Sequence, residues 1–304
     1  MTKRLWKAAE GAAPANQPGC PLSAIGLDLH VHSCFSDGVK TPAELARMAQ
    51  KAGLSYFALC DHDTAGGVSA MQDALDGTGI TLVPGVEIST GASGSTHVLC
   101  YGPKVLAPEM TAFLQSIAQE RVGRAEEIMR LLAKGGIVIP EEKRDALLQS
   151  SSVGRTHIAR LLIELGVVNT VPQAFDRYLG QGCPAYVPRR LPSTLEAVEA
   201  VSRMGVVSVL AHPMRTGLEW PALCAFVRSL QDGGLMGVEA YHPSASSKSA
   251  RQLESMAREA KLLVTGGSDY HGDPSSAAHI GRLPSGWSKR QSDINALLER
   301  ISPC

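Results

Sequence analysis

The chain has 304 residues, 44% of them hydrophobic, 19% charged and only 5% aromatic, which are the proportions of an ordinary globular protein. Lys plus Arg equals Asp plus Glu at 29 each, so no net field recruits polyanions and an acidic substrate must be held by local charges or bound cations. These figures exclude a disordered, collagen-like or coiled-coil chain, and no apolar run reaches the roughly 18 residues of a membrane span.

Residues 1–24 read as a loose tail, rich in Ala, Gly, Pro, Asn and Gln and without the apolar core of a signal peptide. From Ile25 to about Gly102, short apolar runs alternate with amphipathic ones: IGLDLHVH, TPAELARMAQKAG, LSYFALC, GGVSAMQDALDGTG, ITLVPGVEI, THVLCYG. That rhythm predicts βα units on a parallel sheet. Thr41, Pro42 and Glu44 read as N-cap, first helical residue and first-turn acid, with Gly53 as the stop. Over 103–184 the pattern is helical only, in APEMTAFLQSIAQERVGRAEEIMRLLAKGG, RTHIARLLIELG and VPQAFDRYLG, and predicts an inserted helical domain serving as a substrate lid. The α/β rhythm then returns, so 25–102 and 185–304 together predict an α/β barrel of the TIM type or a close relative, with about seven strand and helix pairs. Seven cysteines at irregular spacings, with no CxxC pair, point to reduced thiols in a cytoplasmic protein and to no thiolate zinc site.

The ends of the predicted strands carry the chemistry. In order they read Asp28, His30 and His32; Asp61, His62 and Asp63; Glu87; His97; His212; Glu239; Asp269 and His271. In a parallel barrel these ends open on one face, so residues spread along the chain converge. Imidazole with carboxylate suits Zn, Mn or Fe. His30 and His32 share a strand face through the period of two, Asp269 and His271 repeat that spacing on the last strand, and so many ligands imply more than one ion with a bridging carboxylate. Asp28 reads as structural, and one of Asp61 and Asp63 as orienting an imidazole. Arg155 and His157 follow SSSVG at a helix start that favours an anion. Arg124 and Arg160 read as solvated or ion-paired helix residues, His279 as a surface residue, and His242 as facing the pocket or capping the turn at Pro243.

LHVHSCFSDG, CDHD, VEIS followed by His97, AHP and GSDYH stand in the order and spacing of the polymerase and histidinol phosphatase (PHP) family. The resemblance runs from Leu27 to about Arg282, and SSVGRTHIARLLIELG, AYVP and VEAYHPS make the chain most similar to the branch of nucleoside bisphosphate phosphatases, which also contains a ribonuclease trimming RNA from its 5′ end. It implies a distorted (β/α)7 TIM-like barrel and three divalent ions, Mn²⁺ first, with Zn²⁺ or Fe²⁺ as alternatives. By motif, one ion takes His30, His32, Glu87 and Asp269, a second Asp37, His62 and His271, and a third Glu87, His97 and His212. Asp37, His62, Glu87, His212 and His157 would then act in catalysis, with Arg155, His157 and Arg215 binding substrate phosphate. Cys183 stands where such proteins often carry a basic residue.

The expected activity is metal-hydroxide attack on the 3′-phosphate of nucleoside 3′,5′-bisphosphates. The alternative is 5′-3′ exonuclease action on short 5′-phosphorylated RNA; histidinol phosphate hydrolysis fits the RTH-containing insertion less well. No basic stripe or aromatic platform suggests a long nucleic acid partner. A metal-binding module without turnover is the reading from a different class, and the complete ligand set argues against it.

Overall fold

The alternation in the first hundred residues resolves into β1 (Gly26–Val31), α1 (Pro42–Lys51), β2 (Leu54–Leu59), α2 (Val68–Leu75), β3 (Thr81–Thr90) and β4 (Thr96–Tyr101). The computed structural model describes residues 26–91, 96–149, 153–188, 190–273, 278–283 and 291–302; the tail expected over 1–24 lies outside them. Helix α1 starts as its sequence dictates. The Thr41 hydroxyl accepts the Glu44 N–H, the Glu44 carboxylate accepts the Thr41 N–H, and Pro42 occupies the first turn, where its missing N–H costs nothing.

The helical stretch follows as α3 (Pro108–Lys134), α4 (Glu141–Leu148), α5 (Arg155–Glu164) and α6 (Val171–Ala174), the last running into a π-helical turn over Phe175–Leu179. The apolar periodicity does not point to α4, and the structure gives the reason: this eight-residue helix has no buried residue and therefore no stripe to read. The sheet resumes through α7 (Thr194–Arg203), β5 (Val207–Leu210), α8 (Trp220–Asp232), β6 (Gly237–Tyr241), α9 (Ser247–Glu259), β7 (Leu263–Gly266) and α10 (Gln291–Ile301).

The seven strands lie in chain order in one sheet. The expectation of a wholly parallel sheet is corrected at β4, which runs antiparallel to both β3 and β5. Only five residues separate β3 from β4, and a parallel return needs a crossover of about a dozen or more, so the chain has to turn straight back. Reversal puts the first residues of β4, not its last, at the edge where the other strands end. At that edge the two ends of the sheet touch: Asp269 N–H donates to His30 O at 2.8 Å, His32 N–H to Tyr270 O at 3.0 Å, and Val31 bridges Tyr270.

Helix α3 joins two cores. Its first half sends Met110, Leu114 and Ile117 into the apolar core around the sheet, while Ala125, Ile128, Met129 and Leu132 pack with Ile158, Leu162 and Leu179 in a separate cluster. The helical stretch thus has a core of its own, hung on one 27-residue rod.

Candidate metal centre

All nine residues expected as metal ligands come together at the strand edge. Glu87, near the end of β3 and fully buried, is the centre of the group. Its Oε2 faces His30 Nε2 at 3.3 Å, His32 Nε2 at 3.3 Å and His62 Nδ1 at 3.1 Å; its Oε1 faces His97 Nδ1 at 2.9 Å and His212 Nε2 at 3.0 Å. Asp269 Oδ1 closes the first set, 3.5 Å from His30 Nε2 and 3.2 Å from His32 Nε2. Ligand atoms sharing one ion at bonds of about 2.0–2.2 Å stand roughly 3–3.6 Å apart, so this quartet has the dimensions of an ion's shell. His97 and His212, with facing nitrogens 3.2 Å apart, and Glu87 Oε1 form a second compact set. Asp37 lies on a more open side, 3.2 Å from His271 Nε2 and 3.9 Å from His62 Nε2, with His32 Nδ1 also at 3.9 Å. His62 therefore stands between sets, one ring nitrogen toward Glu87 and the other toward Asp37, instead of belonging to Asp37 and His271 alone.

His97 reaches this edge because β4 is reversed: it is the second residue of its strand, not a strand end. Asp269 and His271 lie beyond β7, which stops at Gly266, and Asp269 takes a φ of 53°, so their approach owes nothing to strand alternation.

The donor set fits divalent cations. His30 Nε2, both His32 nitrogens, His62 Nδ1 and Glu87 Oε2 are buried with no hydrogen-bond partner among the described residues, a cost that a native site meets with an ion. Burial pushes the His62 imidazole down to about 3, leaving a neutral ligand. Burial disfavours the charged form of His32 too, but Asp269 and Glu87 outweigh it and raise that group to about 10. Burial alone would raise the Glu87 carboxyl; the imidazoles of His97, His62 and His30 hold it well below the usual range.

A PHP domain profile matches residues 28–160, and the chain is 34% identical to a 5′-3′ exoribonuclease of Haemophilus influenzae over 91% of its own length and 96% of the relative's. The chain belongs to the PHP family. It is also 30% identical to a 3′,5′-nucleoside bisphosphate phosphatase of Chromobacterium violaceum, over 84% of the chain and 90% of that protein. A solved Bifidobacterium adolescentis structure assigned as a metal-dependent phosphoesterase matches with a TM-score of 0.78 and 28% identity, covering 92% and 98% of the two chains. This PHP protein is a metal-dependent phosphoesterase, an enzyme that cleaves phosphoester bonds.

The remaining acidic residues of the PHP motifs hold the frame. Asp28 accepts backbone N–H groups from Ser268 and Gly281 at 2.9 and 2.8 Å, the structural role expected for it. Asp61 accepts from Ser33 N–H, Ser33 Oγ and Ser36 Oγ at 2.6–2.7 Å and so pins the loop that carries Asp37. Asp63 is bound by Ser89 N–H at 2.7 Å and by the Arg121 guanidinium, whose Nε donates at 2.6 Å. Among the described residues neither aspartate makes a hydrogen bond to an imidazole, which corrects the expectation that one of them orients a ring; serines and an arginine occupy their oxygens.

On the substrate side, one cleft is lined by Asp37, His62 and His97 and by Arg121, Gly154, Arg155, Thr156 and His157. Arg155 donates to Leu179 O at 3.1 Å and lies over the Phe175 ring at 5.2 Å. His157 Nδ1 accepts the Gly154 N–H at 3.2 Å and so closes the start of α5. Arg215 is half-exposed and donates to Asp269 Oδ2 at 2.8 Å. Cys183 Sγ lies against Phe175 O and Asp176 O at 3.5 and 3.2 Å.

Two residues gain roles that their sequence context does not disclose. Arg121 is buried and bound to Asp63. Arg124, expected as a solvated or ion-paired helix residue, instead lines a crevice with Arg121 and Arg155 and is lowered to about 10 by burial and the neighbouring arginines. An RxxR pair in a predicted helix beside a phosphate-binding motif is the signal that could have found both. His242 fulfils both of the roles open to it: its Nε2 meets Asp269 Oδ2 at 3.2 Å while Nδ1 engages Ser244 in the turn.

Proposed function

We propose that this enzyme hydrolyses the P–O3′ bond of a nucleotide whose 5′-phosphate is held at the start of α5, acting on short 5′-phosphorylated RNA and on nucleoside 3′,5′-bisphosphates. The same bond breaks in both substrates; they differ in whether the phosphorus carries a further nucleotide or a free oxygen. The observation that carries this reading is the single cleft of about 130 Å³ in which the imidazole and carboxylate groups of the centre face the Gly154–His157 helix start with its arginines. Similarity to an exoribonuclease and to a bisphosphate phosphatase supports treating both substrates as real.

We read the fold as a distorted TIM-like barrel, on the hydrogen bonds between His30, His32 and the 269–270 segment, with the separately cored helices over 103–184 as its lid. Three ions, manganese first, are proposed on the three ligand sets. A cytoplasmic location is proposed on the free thiols of Cys34, Cys60, Cys100, Cys183 and Cys224.

Divalent ions held at this centre would supply a nucleophilic hydroxide near neutral pH and would offset charge on the phosphoryl oxygens. His30, His32, His62, His97, His212, Glu87, Asp37, Asp269 and His271 would hold and space them. Arg155 takes the 5′-phosphate in a planar, charge-assisted contact, already aimed by Leu179 O and Phe175. His157 fixes the helix start through the Gly154 N–H in the cleft it shares with Asp37, which keeps the 5′-phosphate end facing the scissile bond. Arg215, on the rim beside Asp269, is placed to meet a non-bridging oxygen.

The test is product release by manganese-loaded protein from adenosine 3′,5′-bisphosphate, from a 5′-phosphorylated RNA pentamer and from its 5′-hydroxyl counterpart. Turnover of the first two and a much weaker rate on the third are expected. Release from none, with metal confirmed bound, overturns the reading.

A further inference from the structure

Glu239, the third residue of β6, is fully buried and belongs to none of the ligand sets, yet it touches two of them. Its Oε1 lies 3.0 Å from His30 Nδ1, and its Oε2 accepts the backbone N–H of His212 at 2.7 Å. His212 sits at φ 28° and ψ 61°, a left-handed conformation that a residue with a Cβ adopts only when its surroundings impose it. From there its ring reaches Glu87 Oε1.

We propose that Glu239 is a positioning residue that sets two metal sites at once, fixing the His30 tautomer in the quartet with His32, Glu87 and Asp269 and fixing the His212 backbone in the set with Glu87 and His97. The proposal rests on the reading of these sets as metal sites. An ionised carboxylate only accepts hydrogen bonds, so both of its partners must donate. His30 then carries its proton on Nδ1, and the Nε2 lone pair is turned toward Glu87 Oε2 and Asp269 Oδ1. The second oxygen holds the one N–H that keeps His212 in its strained conformation. One buried side chain thereby makes the geometry of one set depend on that of the other. The Asp37, His62 and His271 side of the centre shares no hydrogen bond with Glu239 among the described residues.

Glutamine has the same shape and can satisfy only one of the two partners. With its oxygen on His212 N–H, its NH₂ faces His30 Nδ1, and the imidazole proton moves to Nε2, where it points at the ion. With its oxygen on His30, its NH₂ opposes the His212 N–H. Either way one set is damaged while the volume is kept.

The experiment is zinc titration of wild type and Glu239→Gln, with occupancy at each set read by anomalous diffraction at the zinc edge. Zinc-loaded wild type is also examined by ¹H–¹⁵N spectroscopy for the His30 Nδ1–H. The expected result is about a tenfold to hundredfold loss of zinc affinity at the His30 set or the His212 set, with the Asp37 side occupied as in wild type. A slowly exchanging His30 Nδ1 proton is expected in wild type, and this measurement stands even where the variant does not fold. Wild-type affinity at both sets in Glu239→Gln, or a wild-type His30 without a proton on Nδ1, overturns the proposal. Wild-type protein that takes up no zinc at these sets overturns both the proposal and the reading beneath it.

Discussion

Five imidazoles, those of His30, His32, His62, His97 and His212, crowd the single carboxylate of Glu87, and protons and metal ions compete for the space. His32, together with the likewise raised His30, decides the pH dependence. Its pKa in the metal-free fold is raised to about 10, because Asp269 and Glu87 outweigh a burial that favours the neutral ring, so between about pH 7 and 9 an entering ion must expel a proton. Apparent affinity at the quartet should therefore rise at least about tenfold per pH unit over that range and level off only above about pH 10, with proton release visible by calorimetry in buffers of different ionisation heat. A flat affinity over the window would contradict the protonated His32. Arg155 belongs to the other end of the cleft. Arg155→Ala should raise KM roughly 10- to 100-fold for substrates that carry a 5′-phosphate, the worth of one charge-assisted hydrogen bond. Metal content should stay the same, and RNA ending in a 5′-hydroxyl should be bound as weakly as by wild type. Steady-state kinetics with metal analysis checks both, and loss of metal would show that the residue supports the centre instead. At this scale the motifs expose the ligands because their residue types announce metal chemistry. Arg121 and Glu239 are harder to read, since their importance lies in a partner far along the chain.

The elements show where local pattern stops being informative. The capping box on α1 and the apolar stripes of α3 are written in consecutive residues and appear as expected. The reversal of β4 is not, because THVLCY reads the same in either direction, and only the missing crossover helix before it betrays the turn. Helix α4 buries nothing and leaves no stripe. The attachment of α3 to the sheet is likewise long-range: Arg121, midway along the helix, pairs with Asp63 after β2 and also donates to Ser89 Oγ at 2.7 Å. Burial would raise the Asp63 carboxyl, but the Arg121 charge lowers it, so the pair is ionised. Arg121→Leu would leave a buried, uncompensated charge at a cost of about 3–5 kcal/mol, and Asp63→Asn added to it should restore part of the loss. Denaturant melts of both variants test this, and a single variant as stable as wild type would show that the helix is held by its apolar face alone.

For the whole molecule, the balance of 29 basic against 29 acidic side chains is misleading about what the cleft attracts. Asp37, Glu87 and Asp269 are three of those acids, and three divalent ions would bring six positive charges to them and to neutral imidazoles, making one face strongly positive while the surface stays balanced. Folding and metal binding are then coupled, since the ligands come from segments as distant as His30 and His271 and the unfolded chain offers no such shell. At free metal about a thousandfold above Kd, each site adds about 4 kcal/mol, and in a chain of this size each kcal/mol moves Tm by roughly 1–2 °C. Chelation should accordingly lower Tm by at least about 10 °C and abolish phosphoester cleavage, and manganese should restore both, with Tm rising in proportion to the logarithm of free metal. Thermal melts with EDTA and across a manganese series provide the measurement. A Tm that ignores metal would mean that the shell is held open by the fold alone, and would separate the centre's chemistry from the stability of the protein.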